Sequence, residues 1–235
     1  MQVADIWDEK SSNFIITQDA VRIFARDVQK PTRYYVDEQI LEDLVPKFIK
    51  QDSSFKDIYT IVTLINSFYS TRMGPDDCFA RANLLFENHN RIWAAIHNLD
   101  VATVQNIIDL QRQGDRPVSF SFTTKYFSIL SRYVAKQDIY PIYDSKVAKL
   151  LNYYFYKQNH AYTKSRVSGC NTPTVKDYIT YYNIISEIMA SCKVSYKELD
   201  NYLWQLGTNL DNNINGAWTK PGTDIHAVLQ RLYEG

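Results

Sequence analysis

Apolar residues return at intervals of three and four along most of this chain, and that rhythm constrains the fold more than any other feature. Between Phe122 and Val134 the apolar positions are 122, 126, 129, 130 and 133, one stripe of an α-helix rather than the period of two that a half-buried strand requires. The same rhythm, bracketed by caps and breakers, predicts helices over Asp19–Val28, from Asp37 to about Lys50, and from a Ser54 cap to Phe68. Asp76 is read as opening a helix that continues past Phe86 through Ile92, Trp93 and Ile96. Asp100 caps the next, which runs to Leu110 before Gly114-Asp115-Arg116-Pro117 breaks the pattern. Further on, Val175–Ala190 reads as helix. Ser195-Tyr196-Lys197-Glu198 forms a capping box for a helix ending at Leu206, with Gly207 as its stop, and a last helix spans Asp224–Tyr233. No stretch alternates convincingly, and no Asn-Gly or Asp-Gly hairpin signal is present. The expected fold class is all-α, as one domain over residues 1–235 or as two intimately packed lobes.

Seven Gly and seven Pro in 235 residues agree with this, because strands and tight turns consume both. Eighteen Tyr are read first as semi-buried packing, each with an apolar body and a polar tip. Cys78, Cys170 and Cys192 are odd in number and fit neither a disulfide framework nor a metal spacing, so a reducing compartment is expected. His89, His97, His160 and His226 are equally scattered, and no metal is expected. The N-terminus shows no signal peptide and no apolar run approaches the ~20 residues of a membrane span, so the expectation is a soluble cytoplasmic protein. No glycine-rich phosphate loop and no serine nucleophile elbow appears.

The formal net charge of zero hides an asymmetry. From Ser121 to Lys176 there are nine Lys or Arg against two acids, Asp138 and Asp144, a surplus of seven positive charges. A basic middle on a neutral chain fits a local polyanion-binding face, or a solvated helix surface balanced by acids elsewhere in space.

The stretch that carries chemistry is Ser121-Phe122-Thr123-Thr124-Lys125, followed nineteen residues later by Tyr140-Pro141-Ile142-Tyr143-Asp144. Pro141 interrupts regular helix in the connector Lys136–Tyr143, and Asp144 stands where an N-cap would open the helix carrying Val147, Leu150, Leu151, Tyr154 and Phe155. Read from residue type alone, Lys125 is a helix lysine and Asp144 an ordinary cap.

With its Thr-Lys pair, its interval and its Pro before the Asp, residues 119–151 resemble the helix-hairpin-helix DNA glycosylases, in particular the 8-oxoguanine DNA glycosylases. The resemblance implies two helical lobes flanking a cleft, with the catalytic helix-connector-helix over about 119–157. It implies Lys125 as nucleophile, Asp144 as its carboxylate partner, duplex DNA with a damaged or modified base as partner, and no cofactor. An amine attacking the anomeric carbon forms a Schiff base that leads on to strand cleavage, and a carboxylate stabilises the cation developing on the sugar. A free lysine is protonated at neutral pH, so such a site needs an apolar wall, for which Phe122, Tyr126 and Ile129 are the candidates.

Ser121, Thr123, Thr124, Lys146 and Lys149 are the candidate DNA contacts. The family's hairpin has two glycines just before the Lys, where this chain has Ser121 and Thr123, which either cap the helix or supplement phosphate binding. Phe122, Ile129, Trp204 and Gln205 are the candidates for a base pocket. Trp218 and Phe120 are open to the same use or to plain packing. The alternative to an enzyme is a non-catalytic helical DNA-binding or interaction module that keeps the basic face.

Overall fold

The computed structural model describes residues 7–8, 13–27, 33–69, 71, 73–112, 120–144, 146–147, 150–151 and 175–214. Nine helices with complete bounds run through them: α1 (Gln18–Asp27), α2 (Arg33–Phe48), α3 (Phe55–Phe68), α4 (Pro75–Glu87), α5 (His89–Asn98), α6 (Val101–Arg112), α7 (Phe120–Tyr133), α8 (Val175–Cys192) and α9 (Tyr196–Ile214). A minimal antiparallel pair, Trp7–Asp8 with Asn13–Phe14, is the extended structure among these residues. Among the described residues the chain is therefore all-α apart from two short strands that no alternation announced. No helix of the described residues is long and apolar enough to cross a membrane.

Backbone packing divides the chain into two compact units, one of Lys30–Tyr143 and one of Met1–Gln29 with Asp144–Gly235. In the Lys30–Tyr143 unit, α3 pairs with α4, α2 lies on α3 and α7, and α7 also meets α5 and α6. Helix α7 is thus the hub. Its Phe122, Tyr126, Phe127, Ile129 and Leu130 are buried together with Ile58, Ile61, Val62 and Ile65 of α3, the spacing of one helix face. At about 25 cal/mol per Å² of apolar surface, each large side chain of this kind contributes on the order of 2 kcal/mol. Ser54 closes the reciprocal box expected of it: its hydroxyl accepts from the Asp57 N–H (3.3 Å) while Asp57 accepts from the Ser54 N–H (3.0 Å). Asp100 likewise accepts from the Thr103 N–H at 3.2 Å to start α6.

In the other unit α1 packs on α9, and α9 on α8. Three hydrogen bonds fasten the N-terminal segment to these late helices. Tyr202 donates to the Ile15 carbonyl (2.8 Å), the Cys192 thiol to the Ile16 carbonyl (2.9 Å), and Gln18 Nε2 to the Lys193 carbonyl (3.1 Å).

The structure corrects several expected boundaries. Helix α2 begins four residues before Asp37, at Arg33, and runs on through Pro46. The helix expected to continue from Asp76 past Phe86 is two, because Asn88 leaves helical geometry (φ −104°, ψ 11°). Most informative is Gly207, expected as a stop but lying inside α9, which continues to Ile214. A Cβ at Gly207 would lie 3.2 Å from the carbonyl carbon and oxygen of Lys146. The glycine is there to let a helix and a backbone approach, not to end the helix. Three other helices, α5, α7 and α8, are closed by Leu99, Lys136 and Lys193, with φ of 61°, 54° and 53°, in the left-handed region that ends a helix.

Candidate active site

Lys125 sits in the second turn of α7, with Phe120 as the first helical residue, so Ser121 and Thr123 belong to the helix rather than to a hairpin before it. Thr123 and Thr124 are fully buried and Ser121 is half-buried. The Thr124 hydroxyl donates to the Ser121 carbonyl (3.0 Å) and accepts from the Tyr143 N–H (2.9 Å). That second bond holds the end of the connector against the first turns of α7. Thr124 is therefore engaged by the protein's own backbone, and a phosphate has no open path to its hydroxyl.

Lys125 itself is half-buried, and its Nζ lies 5.3 Å from the ring centroid of Tyr69 at the end of α3. Phe122 and Ile129 are buried in the core of this unit. One face of the Phe122 ring is covered by the Arg81 guanidinium at 4.7 Å, so that face is not offered to a base. Burial pulls the Arg81 pKa well below the ordinary arginine value, and the negative face of the ring offsets part of that cost. Tyr126 is also fully buried, and burial pushes its phenol well above the usual range.

Within the basic 121–176 segment, Arg132 is engaged by the protein's own acids. Arg132 meets Asp138 at 3.1 Å and Glu38 at 3.9 Å. Burial opposes its charge, but Asp138, with Tyr133, Tyr69 and Glu38, outweighs that and holds the guanidinium above its ordinary value. One of the nine cations is thus spent on one of the segment's two acids.

The remaining candidates belong to the other unit. Asp144 Oδ1 accepts from the N–H groups of Lys146 (2.8 Å) and Val147 (3.4 Å). This is the expected N-cap. Lys146 is half-buried, and its backbone carbonyl is the group that Gly207 accommodates. Trp204 and Gln205 are half-buried on α9, with Trp204 one turn before Gly207. Lys149, Trp218, the Phe120 side chain and the expected helix at 224–233 lie outside the described residues. Among the described residues no group of His, Cys, Asp and Glu could hold a metal ion.

Tyr69 and Arg81 were not legible as partners of α7. Each comes from a helix more than forty residues away in sequence, in a segment that reads as ordinary core helix.

Residues 20–134 match a family model described as an N-terminal domain. The matched span holds α2 to α7 in full and all but the first two residues of α1; it includes Lys125 and ends before Asp144. No curated protein and no solved structure matches the chain.

Proposed function

We propose that this chain is a base-excision DNA glycosylase of the helix-hairpin-helix class with lyase activity, acting on 8-oxoguanine or another damaged or modified base in duplex DNA. The observation that supports it most is the hydrogen bond from the Tyr143 N–H to Thr124 Oγ1. It fixes the end of the connector beside the residue that precedes the candidate nucleophile, in agreement with the helix-connector-helix arrangement the motif implies. Lys125 Nζ attacks C1′ of the target nucleotide as its bond to the base breaks, and the base leaves with the electron pair and takes a proton. Opening of the sugar then gives the Schiff base, and elimination of the 3′ phosphate cleaves the strand. Asp144, anchored through Oδ1 as an N-cap, stabilises the cation that develops on the sugar.

Borohydride trapping tests this on duplexes carrying 8-oxoguanine, an abasic site or modified pyrimidines. Wild type is expected to form a covalent adduct that Lys125→Gln does not. Absence of an adduct on the abasic duplex removes the lyase activity, and absence of base release from every duplex removes the glycosylase.

A further inference from the structure

An amine on a four-carbon stem has many rotamers, and attack at one carbon needs it held in one place. The geometry points to Tyr69 as the positioning residue for Lys125, its ring the platform on which the amine rests; this inference builds on Lys125 being the nucleophile. The 5.3 Å between Nζ and the ring centroid lies within the ~6 Å over which a ring face attracts a cation. Tyr69 is half-buried, so part of that attraction acts away from water.

The platform is itself held. Tyr69 is the C-cap of α3, its N–H bonded to the Ile65 carbonyl at 3.0 Å. The chain beyond it is folded back onto Asn66, one turn earlier on α3. Asn66 Oδ1 accepts from the Thr71 hydroxyl (2.6 Å) and the Met73 N–H (3.0 Å), and its Nδ2 donates to the Met73 carbonyl (3.0 Å). Helix α3 packs directly on α7, so both ring and amine ride on elements of fixed spacing. Arg132, two turns beyond Lys125, also acts electrostatically on Tyr69, but it is bound to Asp138 and Glu38.

The test uses the full-length protein. Lys125 is labelled with trace acetic anhydride at fixed pH, quantified by peptide mass spectrometry and normalised to exposed Lys47. Tyr69→Phe keeps the ring and is expected to label at the wild-type rate. Tyr69→Leu removes it, and Lys125 is expected to label about threefold faster, the size of a modest cation–π attraction. Equal rates in Tyr69→Leu and wild type, with unchanged thermal melting, overturn the proposal. A measurement on wild type alone guards against misfolding of the variant: the Lys125 Hε resonances, assigned with Lys125→Gln, are expected upfield of the other lysines, and their absence there also overturns it. On an abasic duplex, Tyr69→Leu is expected to form the borohydride adduct more slowly than Tyr69→Phe although its amine is freer, because attack at one carbon needs the amine held in place. If wild type forms none, the lyase reading falls, while labelling and ring-current shift still decide the role of Tyr69.

Discussion

Thr124 and Tyr143, nineteen residues apart in the chain, are joined by a 2.9 Å hydrogen bond in which the Tyr143 N–H donates to the Thr124 hydroxyl oxygen. Both residues are buried, so the amide has no water to fall back on. Thr124→Val keeps the shape and removes the acceptor; it is expected to cost about 1–3 kcal/mol in urea denaturation. Thr124→Ser is expected to retain most of the stability. Matching midpoints for Thr124→Val and wild type would show that the bond holds nothing in place.

Under the proposed function Asp144 joins a chemical duty to its structural one as a cap, and two substitutions separate them. Asparagine caps a helix about as well as aspartate, so Asp144→Asn is expected to melt like wild type yet lose at least tenfold in base release, since the carboxylate charge is gone. Asp144→Ala is expected to lose activity and also about 1 kcal/mol of stability with the cap. Full activity in Asp144→Asn would remove the residue from the chemistry.

Gly207 offers a sharper test of packing. Alanine is the better helix former by about 1 kcal/mol, so Gly207→Ala would stabilise α9 if nothing stood opposite. The new methyl instead meets the Lys146 carbonyl at 3.2 Å, on a backbone pinned by the Asp144 cap. The expected outcome is a net loss of about 1–2 kcal/mol by thermal melting, with Gly207→Val worse. A gain in stability for Gly207→Ala would mean that the Lys146 turn yields.

The Ser195–Glu198 box predicts a pH dependence with a definite sign. The Ser195 N–H (2.8 Å) and hydroxyl (2.8 Å) hold the Glu198 carboxyl below its ordinary 4.5, with Arg22 helping weakly. A depressed carboxylate pKa adds stability above the unfolded value and loses it as pH falls through the folded value. The group is half-buried and still reached by water, so about 0.5 kcal/mol is expected. Wild type should exceed Glu198→Gln in stability at pH 7, and the two should converge on acidification. A difference that persists at low pH would assign the effect to something other than ionisation.

Local rules account for what could be read in advance. Ser54, Asp100, Asp144 and Ser195 all cap as their residue types and spacings imply, because a cap is settled within four residues of chain. The Lys125 helix and the Pro141 connector were legible for the same reason. Gly207 was misread because a packing glycine and a stopping glycine look alike until the opposing backbone is known. The left-handed helix ends at Leu99, Lys136 and Lys193 carry no glycine at all. Tyr69 beneath Lys125, Arg81 against Phe122 and Arg132 between Glu38 and Asp138 are tertiary pairings, and residue type at one position says nothing about who arrives from another helix.

The order in which a ribosome releases these segments differs from the order in which they can settle. Everything that completes the Lys30–Tyr143 unit is made before Asp144 emerges, so its helices can collapse while synthesis continues. Helix α1 is made earlier still, but its partners on α9, and the carbonyl contacts that Tyr202 and Cys192 make with residues 15 and 16, come 187 and 176 residues later. Helix α1 therefore waits for α9, and Ala20 and Val21 reach their buried places when it arrives.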